Sequence, residues 1–381
     1  MPTASLSPAS PAPGLRDRWR QWRDRLLCSP RFAQWAMAFP LTRPIARRRA
    51  RALFDLVAGF VYSQVLASCV RLRLFDALAD GPRTPDELAQ HTQLPRAGLE
   101  RLLRAAVALQ LLEPRGGDRI GLGPLGAAAL GQPGVLAMIE HHALLYGDLA
   151  DPLPLLRGQQ PERALSAYWA YAEGAAPAAL TAAQVAPYSA LMSASQHFVA
   201  GEILAAYRFD RHRRMLDVGG GEGTFAISVA GVAPALELRV FDLPAVAERA
   251  TARLAAAGLS ARAAAIGGSF VDDPLPTGAD LVTLVRVAYD HDDARVLALL
   301  RKIHAVLPPG GTLLIAEPMR SDDGDAPMAD AYFGFYLLAM GRGRARSFAE
   351  FSALLRAAGF DRIDRLRSRA PLLTGVITAT R

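Results

Sequence analysis

Leu216-Asp217-Val218-Gly219-Gly220-Gly221-Glu222-Gly223-Thr224 is the stretch that decides the fold. It follows an apolar run that starts at Met215, and it opens a helical stretch predicted over residues 225–233. Glycine in such a turn lets the backbone approach a ligand closely, because no Cβ intervenes. From here to the end of the chain, short apolar runs alternate with helical stretches. The runs are LRVFDLP (238–244), ARAAAIGG (261–268), DLVTLVRV (280–287), GTLLIAEP (311–318), DRIDRLRS (361–368) and GVITATR (375–381). Alternation of strand and helix predicts an α/β domain with a mainly parallel sheet.

Asp242 ends the next strand, 23 residues after Gly219. An acidic residue there suits the hydroxyls of a ribose. A dinucleotide enzyme satisfies both features so far. Two details turn the reading towards S-adenosylmethionine. The glycines are spaced Gly219-x-Gly221-x-Gly223, whereas the dinucleotide fingerprint is Gly-x-Gly-x-x-Gly. Asp217 also stands beside the turn. A carboxylate there repels the pyrophosphate that a helix N-terminus attracts, and it attracts a sulfonium or ammonium.

The chain has 381 residues, 51% of them hydrophobic and 21% charged. This length accommodates two domains of roughly 100–200 residues each, and the apolar fraction excludes a disordered protein. Charged residues punctuate the apolar runs, so no membrane span is expected. The first residues, MPTASLSPASPAPGL, lack the basic cluster and apolar core of a secretory signal. Cys28 and Cys69 are the only cysteines. They exclude a disulfide framework or a zinc knuckle, and a cytoplasmic location with no metal centre is expected.

The net charge of +7 is unevenly spread. Residues 1–51 hold eleven arginines against Asp17 and Asp24, which leaves the remainder of the chain slightly acidic. Residues 1–14 are rich in Pro, Ser and Ala and read as disordered. Residues 15–27 place Leu15, Trp19, Trp22 and Leu26 on one helix face, with Arg and Asp on the others. Two readings stand: an interfacial helix at a membrane surface, or a helix docked on the body or on a second subunit. The second basic cluster, RPIARRRAR (43–51), favours the membrane. Binding to single-stranded nucleic acid is a third reading, disfavoured by the acidic body.

Residues 52–115 read as short helices. Thr84 with Pro85 and Glu87 forms a capping box. A third helix runs over 96–110, and a small hairpin around Gly116-Gly117 spans 111–122. The order is that of a winged helix. Its third helix shows only Arg96, Arg101 and Arg104 among Leu and Ala, so packing or dimerisation is expected rather than DNA recognition. Residues 124–200 read as helical, with loops at 147–154 and 158–161. The chain thus divides into an arm (1–51), a helical module (52–185) and a cofactor-binding domain (186–381).

LDVGGGEG (216–223), FDLP (241–244) and the run LVRVAYDHDDARVLALLRKIHAVLPPGGTLLIAEP (284–318) resemble the plant-type S-adenosylmethionine-dependent O-methyltransferases. The resemblance spans residues 52–381. RFDRHRRMLDVGGGEG (208–223), YGDLADP (146–152) and DAYFGFYLLAMGRGRARS (330–347) are closer still to the bacterial branch that methylates acyclic carotenoids of the demethylspheroidene and hydroxyneurosporene type. The resemblance implies a Rossmann-like, seven-stranded methyltransferase domain behind a winged-helix-like helical dimerisation domain, and a homodimer. It implies that Asp217, Gly219, Gly221, Gly223, Asp242 and Leu243 bind S-adenosylmethionine. It extends the cofactor site to Gly268, Ser269, Phe270 and Arg286, with Ser269 where the family usually has Asp and Phe270 against the adenine.

The family's active-site pattern is Leu-His-Asp-Trp, its His being the base. Here the residues are Ala288-Tyr289-Asp290-His291. Tyr289 stands at the position of the base and His291 at that of the Trp. Glu317 matches a family carboxylate, and a second one falls at Ala345 and is missing. The tertiary hydroxyl of a 1-hydroxycarotenoid is a weak acid, so its proton must leave late, to a positioned base. His291 is the natural candidate near neutral pH, with Tyr289 orienting the hydroxyl and Glu317 beside it. The plainer alternative is an acidic helix N-terminus at Asp290–Asp293 with His291 as surface. The acceptor wall is implied at Tyr188, Met192 and His197, and at Tyr332, Phe333, Phe335, Tyr336 and Met340. Such a wall suits a lipophilic polyene fetched from a membrane, which places the protein peripherally at the inner or intracytoplasmic membrane through residues 15–51. Other acceptors, phenolic or tetrapyrrole, and a non-catalytic S-adenosylmethionine-binding regulator acting on DNA are the competing readings.

Overall fold

The computed structural model describes residues 14–159, 162–168, 192, 196, 199–320, 322, 327–368 and 374–381. The N-terminal half is helical: α1 (Leu15–Leu27), α2 (Pro30–Ala38), α3 (Arg43–Arg71), α4 (Leu74–Ala77), α5 (Pro85–Thr92) and α6 (Arg96–Ala108). An antiparallel ribbon follows, β1 (Leu112–Arg115) with β2 (Arg119–Leu122). Next come α7 (Pro124–Leu130), α8 (Pro133–Asp148), α9 (Leu153–Leu156) and α10 (Ala164–Tyr168). The capping box is formed: the Thr84 hydroxyl accepts from the Glu87 amide, while the Glu87 carboxylate accepts from the Thr84 amide. Leu74, Phe75, Leu88, Leu99, Leu103 and Leu112 close this module's core.

The C-terminal half alternates as its sequence predicts. It contains β3 (Arg214–Val218), α11 (Thr224–Val232), β4 (Glu237–Asp242), α12 (Pro244–Ala256), β5 (Ala263–Gly267) and β6 (Leu281–Val285). It continues with α13 (Asp293–Val306), β7 (Thr312–Glu317), α14 (Pro327–Met340), α15 (Phe348–Ala357), β8 (Arg362–Leu366) and β9 (Gly375–Thr380). The strand order is β5-β4-β3-β6-β7-β9-β8, parallel except for β9, which runs antiparallel to both neighbours. Both sheet faces are covered, so the central strands are mostly apolar, with Asp217, Thr283 and Glu317 as buried polar exceptions. Leu216, Val218, Leu284 and Ile315 pack on α13 and α15 through Leu299, Leu300, Ile303 and Phe351. Met215, Val240, Leu281 and Leu314 pack on α11 and α12 through Phe225, Val229 and Leu254. The chain passes from β3 outwards to β4 and β5, then crosses back to β6 on the other side of β3. A crevice at the C-terminal ends of strands lies at such a reversal of order.

The hairpin expected over 111–122 is present as the β1–β2 ribbon within the helical module. One expectation needs amendment. One helix, α3, is long and apolar enough by composition to cross a membrane. A single carboxylate, Asp55, does not interrupt its apolar side. That side is exposed in the single chain, at Leu53, Phe54, Leu56, Val57, Phe60 and Val61. The tryptophans of α1 are also exposed, Trp19 at 58% and Trp22 at 59%, so α1 does not dock its apolar face on the described body of its own chain.

Candidate active site

The turn after β3 holds Gly219, Gly221 and Gly223 at φ of 69°, 59° and 78°, left-handed values that side chains disfavour. A Cβ on Gly219 would stand 2.7 Å from Val287 Cγ2, so this strand end also closes against the β6 loop. Asp242 sits across the turn. Its Oδ2 accepts from the Gly221 amide and its Oδ1 from the Leu243 amide, each at 2.8 Å. Asp217 is fully buried, and its Oδ1 accepts from the Thr283 hydroxyl at 2.6 Å. Its Oδ2 has no hydrogen-bond partner among the described residues. Burial, with a smaller push from Asp242, raises the Asp217 carboxyl to about 7. Two desolvated carboxyls at one Gly-rich turn disfavour a pyrophosphate and suit a ligand that brings a cation and a ribose.

Glu222 has a different task. Its carboxylate is buried between Arg249 and Arg253 of α12, at 2.5 and 2.7 Å, and ties the turn to that helix. Ser269 caps the turn after β5. Its amide donates to Asp273 Oδ2 at 2.8 Å and its hydroxyl to Asp272 Oδ2 at 2.9 Å, so carboxylates reach this turn although 269 itself is not acidic. Lys302, the only lysine, donates to the carbonyls of Phe270, Val271 and Asp273 and holds the turn in place. Nothing in its local sequence marks this role.

The loop after β6 carries the second half of the site. Arg286 leaves the strand at φ 59°, a left-handed residue without glycine. Glu317, at the end of β7, accepts from the amides of Val287 and Ala288 through Oε1, at 2.9 and 2.7 Å. Its buried Oε2 has no hydrogen-bond partner among the described residues, and burial lifts the group to about 7. Tyr289 turns into a buried apolar cluster with Leu145, Leu155 and Leu165 from the helical half and Tyr336, Leu337 and Met340 from α14. Tyr332 stacks on Tyr336 and meets Phe333 edge-on. Phe333 is half-buried, and Phe335 is exposed. His291 is half-buried. It follows the short turn Ala288–Asp290 in extended backbone, and its ring packs edge-on against Phe270, 5.4 Å between centroids. Burial, reinforced by nearby Arg295, Arg346 and Arg342, pushes His291 down to about 4.

The segment 341–347 grips this turn from outside. A Cβ on Gly343 would overlap the Tyr289 carbonyl, and the Arg344 amide donates to that carbonyl at 2.9 Å. Arg346 is fully buried and donates to the carbonyls of Ala288 (2.7 Å) and His291 (2.6 Å) and to Asp293 (2.8 Å). Where the family pattern has a carboxylate and this chain has Ala345, the neighbouring arginine fixes the turn. Two histidines of α8 escape the sequence reading. His141 pairs with the Tyr336 hydroxyl at 2.9 Å and His142 with the Tyr332 hydroxyl at 2.6 Å. Met192 is half-buried, and Tyr188 and His197 lie outside the described residues.

A doubly covered sheet with an acid-flanked glycine turn at its switch point defines a methyltransferase of the S-adenosylmethionine-binding class. An O-methyltransferase domain matches residues 146–361, and an O-methyltransferase dimerisation domain matches residues 54–128. The chain belongs to the S-adenosylmethionine-dependent O-methyltransferase family. It is 44% identical to the demethylspheroidene O-methyltransferase of Cereibacter sphaeroides, over 94% of each chain. It is 42% identical to the protein of that name in Rhodobacter capsulatus, over 94% of this chain and 88% of that one. The crystal structure of human N-acetylserotonin methyltransferase in complex with S-adenosylmethionine superposes with a TM-score of 0.75 at 25% identity, covering 87% of this chain and 97% of that one. The methyl donor is S-adenosylmethionine, and the orphaned Asp217 Oδ2 is a buried acceptor that fits a positively charged ligand.

Proposed function

We propose that this chain transfers the methyl group of S-adenosylmethionine to a hydroxyl of an acyclic carotenoid, the tertiary 1-hydroxyl. The observation that carries this reading is the 44% identity, over 94% of each chain, with a demethylspheroidene O-methyltransferase. The wall of Tyr289, Tyr332, Tyr336, Leu337 and Met340 supports it, since a lining of aromatic and thioether groups suits a long apolar polyene. Asp217, the 219–223 turn, Asp242 and Leu243 hold the donor. Gly268, Ser269, Phe270 and His291 line its adenine side, and Arg286 and Glu317 set the loop between donor and acceptor. When bound, the donor supplies an electrophilic methyl on a sulfonium. The protein's part is to hold the acceptor oxygen in line with it, exclude water and take a proton. Purified protein with labelled S-adenosylmethionine is expected to methylate 1-hydroxy acyclic carotenoids in detergent. Methylation of a catechol or flavonoid in place of the carotenoid would sink the acceptor assignment.

The same reading makes the enzyme a homodimer that works at a membrane surface. The dimerisation domain begins at residue 54, and α3 there exposes Phe54, Leu56, Val57, Phe60 and Val61, a face suited to a second copy. The arm α1–α2, with its arginines and exposed Trp19, Trp22 and Trp35, suits an anionic bilayer. Its location is thus cytoplasmic and peripheral.

A further inference from the structure

A cavity of about 440 Å³ lies between α9, α14 and the segment 341–345, apart from the donor turn. Its volume is in the range of small-molecule sites. Four guanidiniums line it: Arg163 just before α10, Arg320 after β7, and Arg342 and Arg344 after α14. Asp330 is the one carboxylate among the lining residues. Leu155 and Leu337 also line it, and both belong to the apolar cluster around Tyr289. The cavity therefore backs onto the acceptor wall.

The arginines come from three distant parts of the chain, and their surroundings hold them together. The Asp148 carboxylate accepts from the amides of Ala164 and Leu165, at 2.9 and 2.8 Å, which fixes the backbone beside Arg163. Gly341, at φ 86°, leaves the room that the Arg163 guanidinium fills, since a Cβ at 341 would overlap its nitrogens. Arg344 is held by Asp293 and Glu350, each at 2.7 Å, and Arg320 by Glu350 at 3.1 Å. These carboxylates leave the site cationic. With Arg346, which also pairs with Asp293, five guanidiniums meet Asp293, Asp330 and Glu350. Arg342 has no hydrogen bond or ion pair among the described residues. Like charges held around one volume repel, and an anion relieves that repulsion.

We propose that this cavity binds a phosphate group. The guanidinium fork matches pairs of phosphate oxygens. Those oxygens are arranged tetrahedrally, so arginines from three segments can approach one group from different sides. The leucines place apolar surface beside the charge, which suits a phosphate carried on an apolar tail. A phospholipid headgroup and inorganic phosphate share the recognising chemistry. On a phospholipid, the contact sets the catalytic half, and with it the acceptor wall, against the bilayer. The site is separate from the α1–α2 arm, and it holds whichever hydroxylated acceptor the enzyme methylates.

The test is calorimetric titration of the full chain at low salt. The ligands are dihexanoyl phosphatidylglycerol below its micelle concentration, inorganic phosphate, and octanoate. Wild type is compared with Arg163→Gln, Arg342→Gln, Arg342→Lys and the double glutamine variant, and unchanged affinity for S-adenosylhomocysteine confirms the fold of each. A phosphate-bearing ligand is expected to bind once per chain. Each glutamine variant is expected to weaken it about tenfold, and the double variant to abolish it. Arg342→Lys, which keeps the charge and loses the fork, is expected to fall between wild type and Arg342→Gln. Tighter binding of phosphatidylglycerol than of inorganic phosphate assigns the site to a lipid headgroup, and the reverse order assigns it to the free anion. Three results would overturn the proposal. One is that neither phosphate ligand binds. Another is binding that survives the double variant, which would place it on the arginines of the arm. The third is octanoate binding as tightly as either phosphate ligand.

Discussion

Asp217 brings a carboxylate to a place that water does not reach, and its charge state follows from that. Burial raises it to about 7, so near neutral pH part of the free protein carries it protonated. A cationic ligand stabilises the anion. Binding therefore expels a proton below that pH, and affinity for S-adenosylmethionine rises with pH up to about 7 and levels off above it. Calorimetry in buffers of different ionisation enthalpy reads the released proton directly. Asp217→Asn is expected to abolish the release, and unchanged affinity from about pH 6 to about pH 8 in wild type would remove Asp217 from the donor site. Asp242→Ala is expected to weaken binding by about tenfold to a hundredfold, since it removes a charged acceptor for the ribose. Arg346 is a residue of the opposite kind, reaching no ligand and holding two carbonyls of the turn. Arg346→Met leaves the Ala288 and His291 carbonyls buried without a donor. The expected cost is about 3 kcal/mol in urea unfolding, together with a drop in kcat.

At the scale of elements, what the sequence discloses depends on how far apart the partners lie along the chain. The strands of the sheet, apart from the charged edge strand β8, are short apolar runs, and each is found where its run predicts. A helix start is legible at Thr84 with Glu87, where a side chain caps its own backbone. The alternative reading of an acidic helix N-terminus at 290–293 matches the Asp292 cap on the Arg295 amide, while the equivalent box of Ser347 with Glu350 escapes the sequence reading. The donor side of the site is likewise local. The 219–223 turn and Asp242 lie on consecutive strands, and one motif announces both. The acceptor side is assembled from distant pieces. His141 and Tyr336 are 195 residues apart and His142 and Tyr332 are 190 apart, pairs that no periodicity reveals. Glu222 shows the limit of motif reading, because the acid inside the glycine turn ties the loop to α12 through Arg249 and Arg253. Glu222→Ala is expected to cost about 1–2 kcal/mol in stability and to weaken S-adenosylhomocysteine binding several-fold by loosening the turn. Full affinity in that variant would mean that the turn holds its shape without α12.

At the scale of the whole molecule, the N-terminal region carries two apolar surfaces of different chemistry, and they call for different partners. The α3 face is aliphatic and aromatic around Phe54, Val57 and Phe60, and charge-free over that stretch except for Asp55. A second copy of the same face is its natural cover. Phe60→Arg is expected to shift the protein from dimer to monomer in light scattering, and a persistent dimer would place the interface elsewhere. The α1–α2 arm instead mixes tryptophan with arginine, and the membrane contact proposed for it requires that the indoles enter the bilayer interface while each arginine near an anionic surface adds about 1 kcal/mol. The arm lies outside the sheet and its crevice, so its removal has a specific signature. A chain lacking residues 1–42 is expected to pellet less with phosphatidylserine vesicles, most clearly at low salt, where screening is weakest. Its turnover of acceptor dissolved in detergent stays near wild type, while turnover of acceptor embedded in vesicles falls. Equal pelleting with and without the arm, or equal loss in detergent and in vesicles, would mean that the arm packs against protein and the acceptor reaches the crevice by another route.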